Sequence, residues 1–189
     1  MKYLDLQQSI HSNIFTLTDV AKHFAHDPSH QIQTQLSRFV KRKLLTKIKR
    51  NIYVFDVEKI DELYLAHLLY SPSYISLEYA LHYYGIIPDI PQQITSITTI
   101  TTKKIISQNI TFSYSKIQTP LYWGYHQIQS LKSESFFPIA EKEKAFLDYL
   151  YIRKINTLDD LRIDIKKFDI NKLRTYIKHF PLWVQKIKI

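Results

Sequence analysis

The sequence predicts an α+β protein. A winged helix-turn-helix is expected over about residues 1–56, followed by a mixed domain over 57–189 with a small β-sheet and flanking helices. Three observations carry that expectation. Helical apolar spacing over the first 45 residues runs directly into a short basic β-like stretch, Lys47-Ile-Lys-Arg-Asn-Ile-Tyr-Val-Phe55. Runs dominated by Thr, Ile and Tyr recur at Gln93–Thr101, Asn109–Ile117 and Leu121–Ile128. A helical apolar pattern then returns from Ala140 to Arg153.

In chain order, Leu4, Leu6, Ile10 and Ile14 predict a first helix from Tyr3 to Ile14. Thr16-Leu-Thr-Asp19 has the form of a capping box and opens a helix from Leu17 to about Ala25. Its inward residues are Leu17, Val20, Ala21 and Phe24. His26-Asp-Pro-Ser29 reads as a turn, with Ser29 as N-cap of a third helix from His30 to Lys43. Ile32, Leu36, Phe39/Val40 and Leu44 form the inner stripe of that helix. Arg50-Asn51 is the expected hairpin tip, because Asn tolerates the left-handed backbone a tight turn needs.

A linking helix is expected from Val57 to Tyr70, and Ser71-Pro-Ser73 marks a break. Ser76 to Tyr84 reads as a helix closed by Gly85, with Pro88 and Pro91 preventing continuation. In the helix from Ala140, the inward residues are Ala145, Phe146, Leu147, Leu150 and Tyr151. The last helices are expected at Leu158–Phe168 and Asn171–His179, before Pro181.

Composition narrows the chemistry. At 189 residues, 45% hydrophobic and 14% aromatic, the chain can bury a sizeable core. Two glycines exclude a Gly-rich phosphate loop, and the absence of cysteine excludes disulfides and thiolate metal sites. The N-terminus lacks a signal-peptide core and no stretch reaches membrane-span length, so a cytoplasmic protein is expected. The net charge of +9 favours a polyanionic partner. That charge is uneven: residues 1–55 carry +6, residues 153–189 carry +6, and the segment between carries −3.

Between Pro28 and Phe55 stand seven basic residues and no acidic one. Solvated helix faces normally mix signs, so this bias points to nucleic acid. The expected DNA contacts on the helix are Ser29, His30, Gln33, Thr34, Ser37, Arg38, Lys41 and Arg42. Those on the hairpin are Lys47, Lys49, Arg50 and Asn51. Such side chains reach base edges and phosphates when a helix enters the major groove.

Competing sites are weak. His23, His26 and His30 read H-x2-H-x3-H but lack carboxylate or thiolate support, so no metal is expected. Asp89 with Asp164-Ile-Lys166 has the residue types of a nuclease set at an unhelpful spacing. Glu141, Glu143 and Asp148 alternate with Lys142 and Lys144 and read as solvated. No catalytic residue and no cofactor is expected. Tyr79, Tyr83, Tyr84, Tyr114, Tyr122, Trp123 and Tyr125 read as core before interface. The C-terminal cations Lys166, Lys167, Lys172, Arg174, Lys178, Lys186 and Lys188 fit a solvated face, extra DNA contacts or a dock for an acidic partner.

Four segments occur in order: Ser73-Tyr-Ile-Ser-Leu-Glu-Tyr-Ala-Leu-His-Tyr-Tyr-Gly-Ile-Ile-Pro88; Ile94-Thr-Ser-Ile-Thr-Thr99; Phe112-Ser-Tyr-Ser115 with Gly124-Tyr125; and Ile139-Ala-Glu-Lys-Glu-Lys-Ala-Phe-Leu-Asp-Tyr-Leu-Tyr151. Together they resemble the AbiEi-like antitoxin family, transcriptional regulators of bacterial toxin–antitoxin (abortive-infection) operons. The resemblance runs from about Thr16 to Tyr151, and the first segment is its most specific part. It implies a non-enzymatic protein whose winged helix binds the operator of its own operon and represses it. It also implies that the remainder counteracts a co-encoded toxin of the nucleotidyltransferase type, with or without direct contact. Two departures stand out: the family commonly has Gly at the wing tip where this chain has Asn51, and nothing after Tyr151 aligns. The alternative reading is a plain winged-helix regulator whose second domain binds a ligand or dimerises.

Overall fold

The computed structural model describes residues 1–158 and 161–188. The protein is α+β, with eight α-helices and two sheets of three and six strands among the described residues. It divides into two compact units, Met1–Leu69 with Gln129–Ser135, and Tyr70–Ile128 with Phe136–Ile189.

The first unit runs α1 (Tyr3–Ser9), β1 (Ile14–Thr16), α2 (Leu17–His23), α3 (Ser29–Lys41), β2 (Thr46–Lys49), β3 (Ile52–Val54) and α4 (Glu62–Leu69). Its antiparallel sheet has the order β1-β3-β2. The first helix stops at Ser9 rather than Ile14, because Ile14-Phe15-Thr16 pairs with Val54, Tyr53 and Ile52 as a strand. The capping box at Thr16 forms as the sequence predicts. Asp19 N–H donates to Thr16 Oγ1 at 3.2 Å, and Thr16 N–H donates to Asp19 Oδ2 at 2.9 Å. Ser29 is the first residue of α3 and not its cap, since Pro28 takes the cap position. Lys43 ends α3 in the left-handed region at φ 58°. Its N–H bonds the Val40 carbonyl and Leu44 N–H bonds that of Phe39, the double closure usually built on glycine. Leu44 is thereby turned outward and Leu45 fills the core, at 37% and 3% exposure. The helix expected from Val57 to Tyr70 is a 3-10 turn at Val57–Lys59 followed by α4.

The second unit runs β4 (Ser73–Ile75), α5 (Leu77–Tyr83), β5 (Ile94–Thr98), β6 (Lys103–Ser107), β7 (Ile110–Lys116), β8 (Tyr125–Gln129), β9 (Phe136–Ala140), α6 (Lys142–Arg153), α7 (Ile170–Ile177) and α8 (Leu182–Gln185). The sheet order is β6-β7-β5-β4-β9-β8, mixed in direction. β5 is parallel to β7 and antiparallel to β4, and all five of its residues are buried. A strand covered on both faces loses the alternation that betrays a half-wet one. Edge strand β6 carries Lys103 and Lys104, charges that discourage further strand pairing. Gly85 closes α5 at φ 65°, donating to the His82 carbonyl while Ile86 N–H bonds that of Leu81. The run expected to begin at Leu121 starts as a strand only at Tyr125, after a 3-10 turn at Thr119–Leu121. The helix expected at Leu158–Phe168 is absent from the described residues there, which show only a 3-10 turn at Ile165–Lys167; residues 159–160 lie outside them. α6 contacts α5, α7 and α8. From Glu143 to Asp148 every residue of α6 is buried, so it is a central helix and not a half-wet one.

Candidate nucleic-acid interface

α3 is held from within by Ile32, Leu36 and Phe39, packed with Leu6, Ile10, Phe15, Val20, Leu45 and Tyr53. Tyr3 meets Phe39 edge-on at 5.4 Å, and its hydroxyl donates to the Leu44 carbonyl at 3.0 Å. Burial of one such aliphatic side chain stabilises by about 1.5–3 kcal/mol, so the helix is fixed by its inner stripe and its outer face is left unconstrained. That outer face, and the residue after it, present Ser29, His30, Gln33, Thr34, Ser37, Arg38, Lys41 and Arg42, all exposed. Thirteen residues give a rod about 20 Å long at about 1.5 Å per residue. Thr34 Oγ1 donates to the His30 carbonyl at 2.8 Å, which leaves that oxygen to act outward as an acceptor.

The β2–β3 hairpin exposes Lys47, Lys49, Arg50 and Asn51. Asn51 takes φ 65°, and its carbonyl accepts Leu17 N–H at 2.9 Å. The register slips between Lys47 and Lys49, so Ile48 is the extra residue of a bulge. Lys49 has a local partner that the sequence did not disclose. Its ammonium donates to the carbonyl of Leu69, the last residue of α4, at 2.6 Å. Among the described residues, none of the seven cations from Arg38 to Arg50 lies within 4.0 Å of a carboxylate; the ion pairs of this unit are made by Met1, Lys22, Lys59 and Lys132. The result is a concentrated positive face without carboxylate partners, on which Lys49 is engaged by a backbone carbonyl.

His23, His26 and His30 are exposed, and no group of three His, Cys, Asp or Glu is arranged to hold a metal among the described residues. Asp164 Oδ1 accepts Lys166 N–H at 3.3 Å and so caps its own 3-10 turn. Asp89 lies on the wall of a cavity of ≈ 650 Å³ shared with Glu78, Lys104, Tyr149, Arg162 and Ile163, and Asp164 N–H donates to the Ile86 carbonyl at 3.0 Å nearby.

The acidic residues of α6 depart from the expected solvated face. Glu143 is buried, accepting Asp169 N–H at 2.9 Å and facing Lys172 at 3.8 Å. Asp148 and Lys144 are both fully buried and pair with each other. Asp148 Oδ2 also accepts the Tyr74 hydroxyl at 3.0 Å and the Ser76 hydroxyl at 2.9 Å, while Lys144 Nζ donates to Tyr74 Oη at 2.9 Å. Gly124 lies over the Lys144 stem at φ 71°, where an added Cβ would come within 3.0 Å of Cγ. Burial pulls the Lys144 ammonium below its ordinary value and pushes the Asp148 carboxyl above its own, against the attraction between them. The one local hint of this pair is its i,i+4 spacing, which surface pairs share. Tyr74, outside the expected aromatic cluster, stacks on Tyr125 at 4.6 Å, and Tyr114 is fully buried. Tyr83 remains 40% exposed.

The chain matches no protein-family model and none of the curated proteins compared with it.

Proposed function

We propose that the protein is a DNA-binding autorepressor that also counteracts a co-encoded toxin of the nucleotidyltransferase type. In this reading the first unit is a winged helix-turn-helix: α2 and α3 are the helix pair, α3 enters the major groove, and the β2–β3 hairpin is the wing. The order α1-β1-α2-α3-β2-β3 with sheet order β1-β3-β2 supports it. The observation that carries it is the face of seven cations with no carboxylate partner, shared between one helix and the adjoining hairpin. Gln33 and Arg38 are the side chains for base edges, and Lys47 and Arg50 those for phosphate. The protein acts without catalysis, and in the cytoplasm where its operator lies.

The antitoxin half rests on the resemblance across Ser73–Tyr151. Co-expression with the product of an adjacent nucleotidyltransferase gene should restore growth, and failure to do so would remove that half alone. The operator half is tested by binding to the fragment upstream of its own gene, against random DNA, across a salt series. A preference that survives physiological salt is expected; equal binding at every salt would reduce the face to a generic polyanion surface. The ≈ 650 Å³ cavity of the second unit favours one other reading, a regulator whose second unit binds a small ligand. That reading requires operator affinity to change with a metabolite and not with the toxin.

A further inference from the structure

The second unit carries a cleft of ≈ 510 Å³ at the C-terminal end of α6, lined by Tyr151, Ile152, Lys154, Asn156 and Trp183. Lys154 is the one charged residue of that lining. The flanking stretches 149–158 and 170–188 hold seven cations and no carboxylate, and four aspartates stand between them in the chain. Arg153 is held by Glu78 at 2.6 Å and Lys172 by Glu141 at 3.1 Å. Lys154, Arg174, Lys178, Lys186 and Lys188 make no such pair among the described residues.

The cleft is also aromatic where it is wet. The rings of Tyr151 and Trp183 lie within 20° of parallel with centroids 6.1 Å apart, and Trp183 is 36% exposed. Val184 of α8 and Ile187 just beyond it are buried, whereas Trp183 between Leu182 and Val184 keeps part of its surface wet. Lys186, three residues after Trp183, falls on the same side of that turn.

We propose that this cleft binds single-stranded nucleic acid, with a base stacked on Trp183 and Tyr151 and the flanking phosphates on Lys154 and Lys186. Every base has a π-face, and aromatic platforms set in positive charge are how proteins hold unpaired strands. A duplex keeps its base faces stacked inside and cannot use the indole. An acidic peptide satisfies the cations but brings no planar base to lay on the indole. The surface shares no residue with α3 or its hairpin, so it stands or falls apart from operator binding.

The test uses the whole 189-residue chain with labelled oligo(dT) and oligo(U) about 12 nucleotides long, within the ~4–16-nucleotide footprints of such sites. Binding with quenching of tryptophan fluorescence is expected for at least one of them. Trp183→Ala should weaken it roughly 5- to 150-fold, Trp183→Phe should retain most of it, and the Lys154→Gln/Lys186→Gln pair should lower the salt slope by about 0.7 per lost phosphate contact. The Lys47→Gln/Arg50→Gln variant should bind these strands as the native chain does. Thermal melts of each variant establish that the fold is kept, and Trp183→Phe serves as the packing control. Three results would overturn the proposal: binding indifferent to Trp183→Ala, binding no tighter than to polyglutamate, or binding abolished by the hairpin substitutions alone.

Discussion

Lys47 and Lys49 stand on the same strand, two residues apart, and a sequence reading assigns both to phosphate. The geometry separates them. Lys47 is exposed with its charge unpaired, whereas the Lys49 ammonium closes the carbonyl of Leu69 at 2.6 Å. Leu69 ends α4 and is 2% exposed, so that carbonyl has no intrahelical partner and little water. Removing its donor leaves a poorly solvated acceptor, a loss of about 1 kcal/mol once the exposure of the lysine stem is allowed for. For a chain of this size that corresponds to a fall in Tm of about 2–4 °C. Lys47→Ala removes no side-chain hydrogen bond or ion pair seen among the described residues and should change stability by no more than the ~0.5 kcal/mol typical of surface changes. Binding should show the reverse. If the six cations other than Lys49 each neutralise one phosphate, log K should fall with log salt at a slope near −5, and Lys47→Ala should reduce its magnitude by about 0.9. Lys49→Ala should leave the slope nearly as it is. Fluorescence anisotropy on the upstream fragment at several salt concentrations gives the slopes, and far-UV circular dichroism gives the melts. Equal loss of slope in the two variants with unchanged melting of Lys49→Ala would refute the assignment of Lys49 to Leu69.

On the binding face, Gln33→Ala or Arg38→Ala should relax sequence preference by about 1–3 kcal/mol at one base position, whereas Lys47→Ala with Arg50→Ala weakens operator and random DNA alike; competition titrations separate the two patterns. In the second unit, Asp148→Leu alone strands a buried ammonium and should cost about 3–5 kcal/mol, while Lys144→Met with Asp148→Leu should recover most of that; denaturant melts of the two singles and the double give the coupling. Lys43→Gly relieves a left-handed backbone and should stabilise by about 1 kcal/mol while reducing the DNA salt slope, so stability and affinity move in opposite directions in one variant.

The outer side of α3 was legible because Ile32, Leu36 and Phe39 recur at helical spacing, which fixes the side that stays wet. The turn at Gly85 was legible because glycine is the residue that a left-handed helix end favours. What escaped was decided by distant partners. Ile14-Phe15-Thr16 and Ser73-Tyr-Ile75 are three-residue strands, too short for any period to show, and each exists because another strand lies beside it. Lys144 and Asp148 sit in an alternating charged run that reads as surface. They are buried because Tyr74 and Ser76, about 70 residues earlier, supply hydroxyls at bonding distance. Lys43 and Lys154 take left-handed backbone at helix ends where sequence convention looks for glycine, and a chain with only two glycines must use other residues there.

The unpaired cations of the first unit carry a cost that bears on their role. Like charges held along one helix and its neighbouring hairpin repel, and among the described residues no carboxylate within 4.0 Å offsets them. The core beneath supplies the stability that tolerates this, through fully or nearly fully buried Leu6, Val20, Ile32 and Leu36. A solvated face evolves toward mixed signs because mixed signs remove the repulsion without loss. A face that keeps the repulsion is destabilised alone, and on the proposed reading a polyanion relieves it, so binding free energy and folding free energy of this unit would be coupled through the same side chains. Lys49 is the exception within the run in that its ammonium already donates to the Leu69 carbonyl, a neutral group that leaves its charge in place. That contrast, six cations without a bonded partner among the described residues and one held by a carbonyl, is the physical ground on which the basic segment is proposed as a binding face.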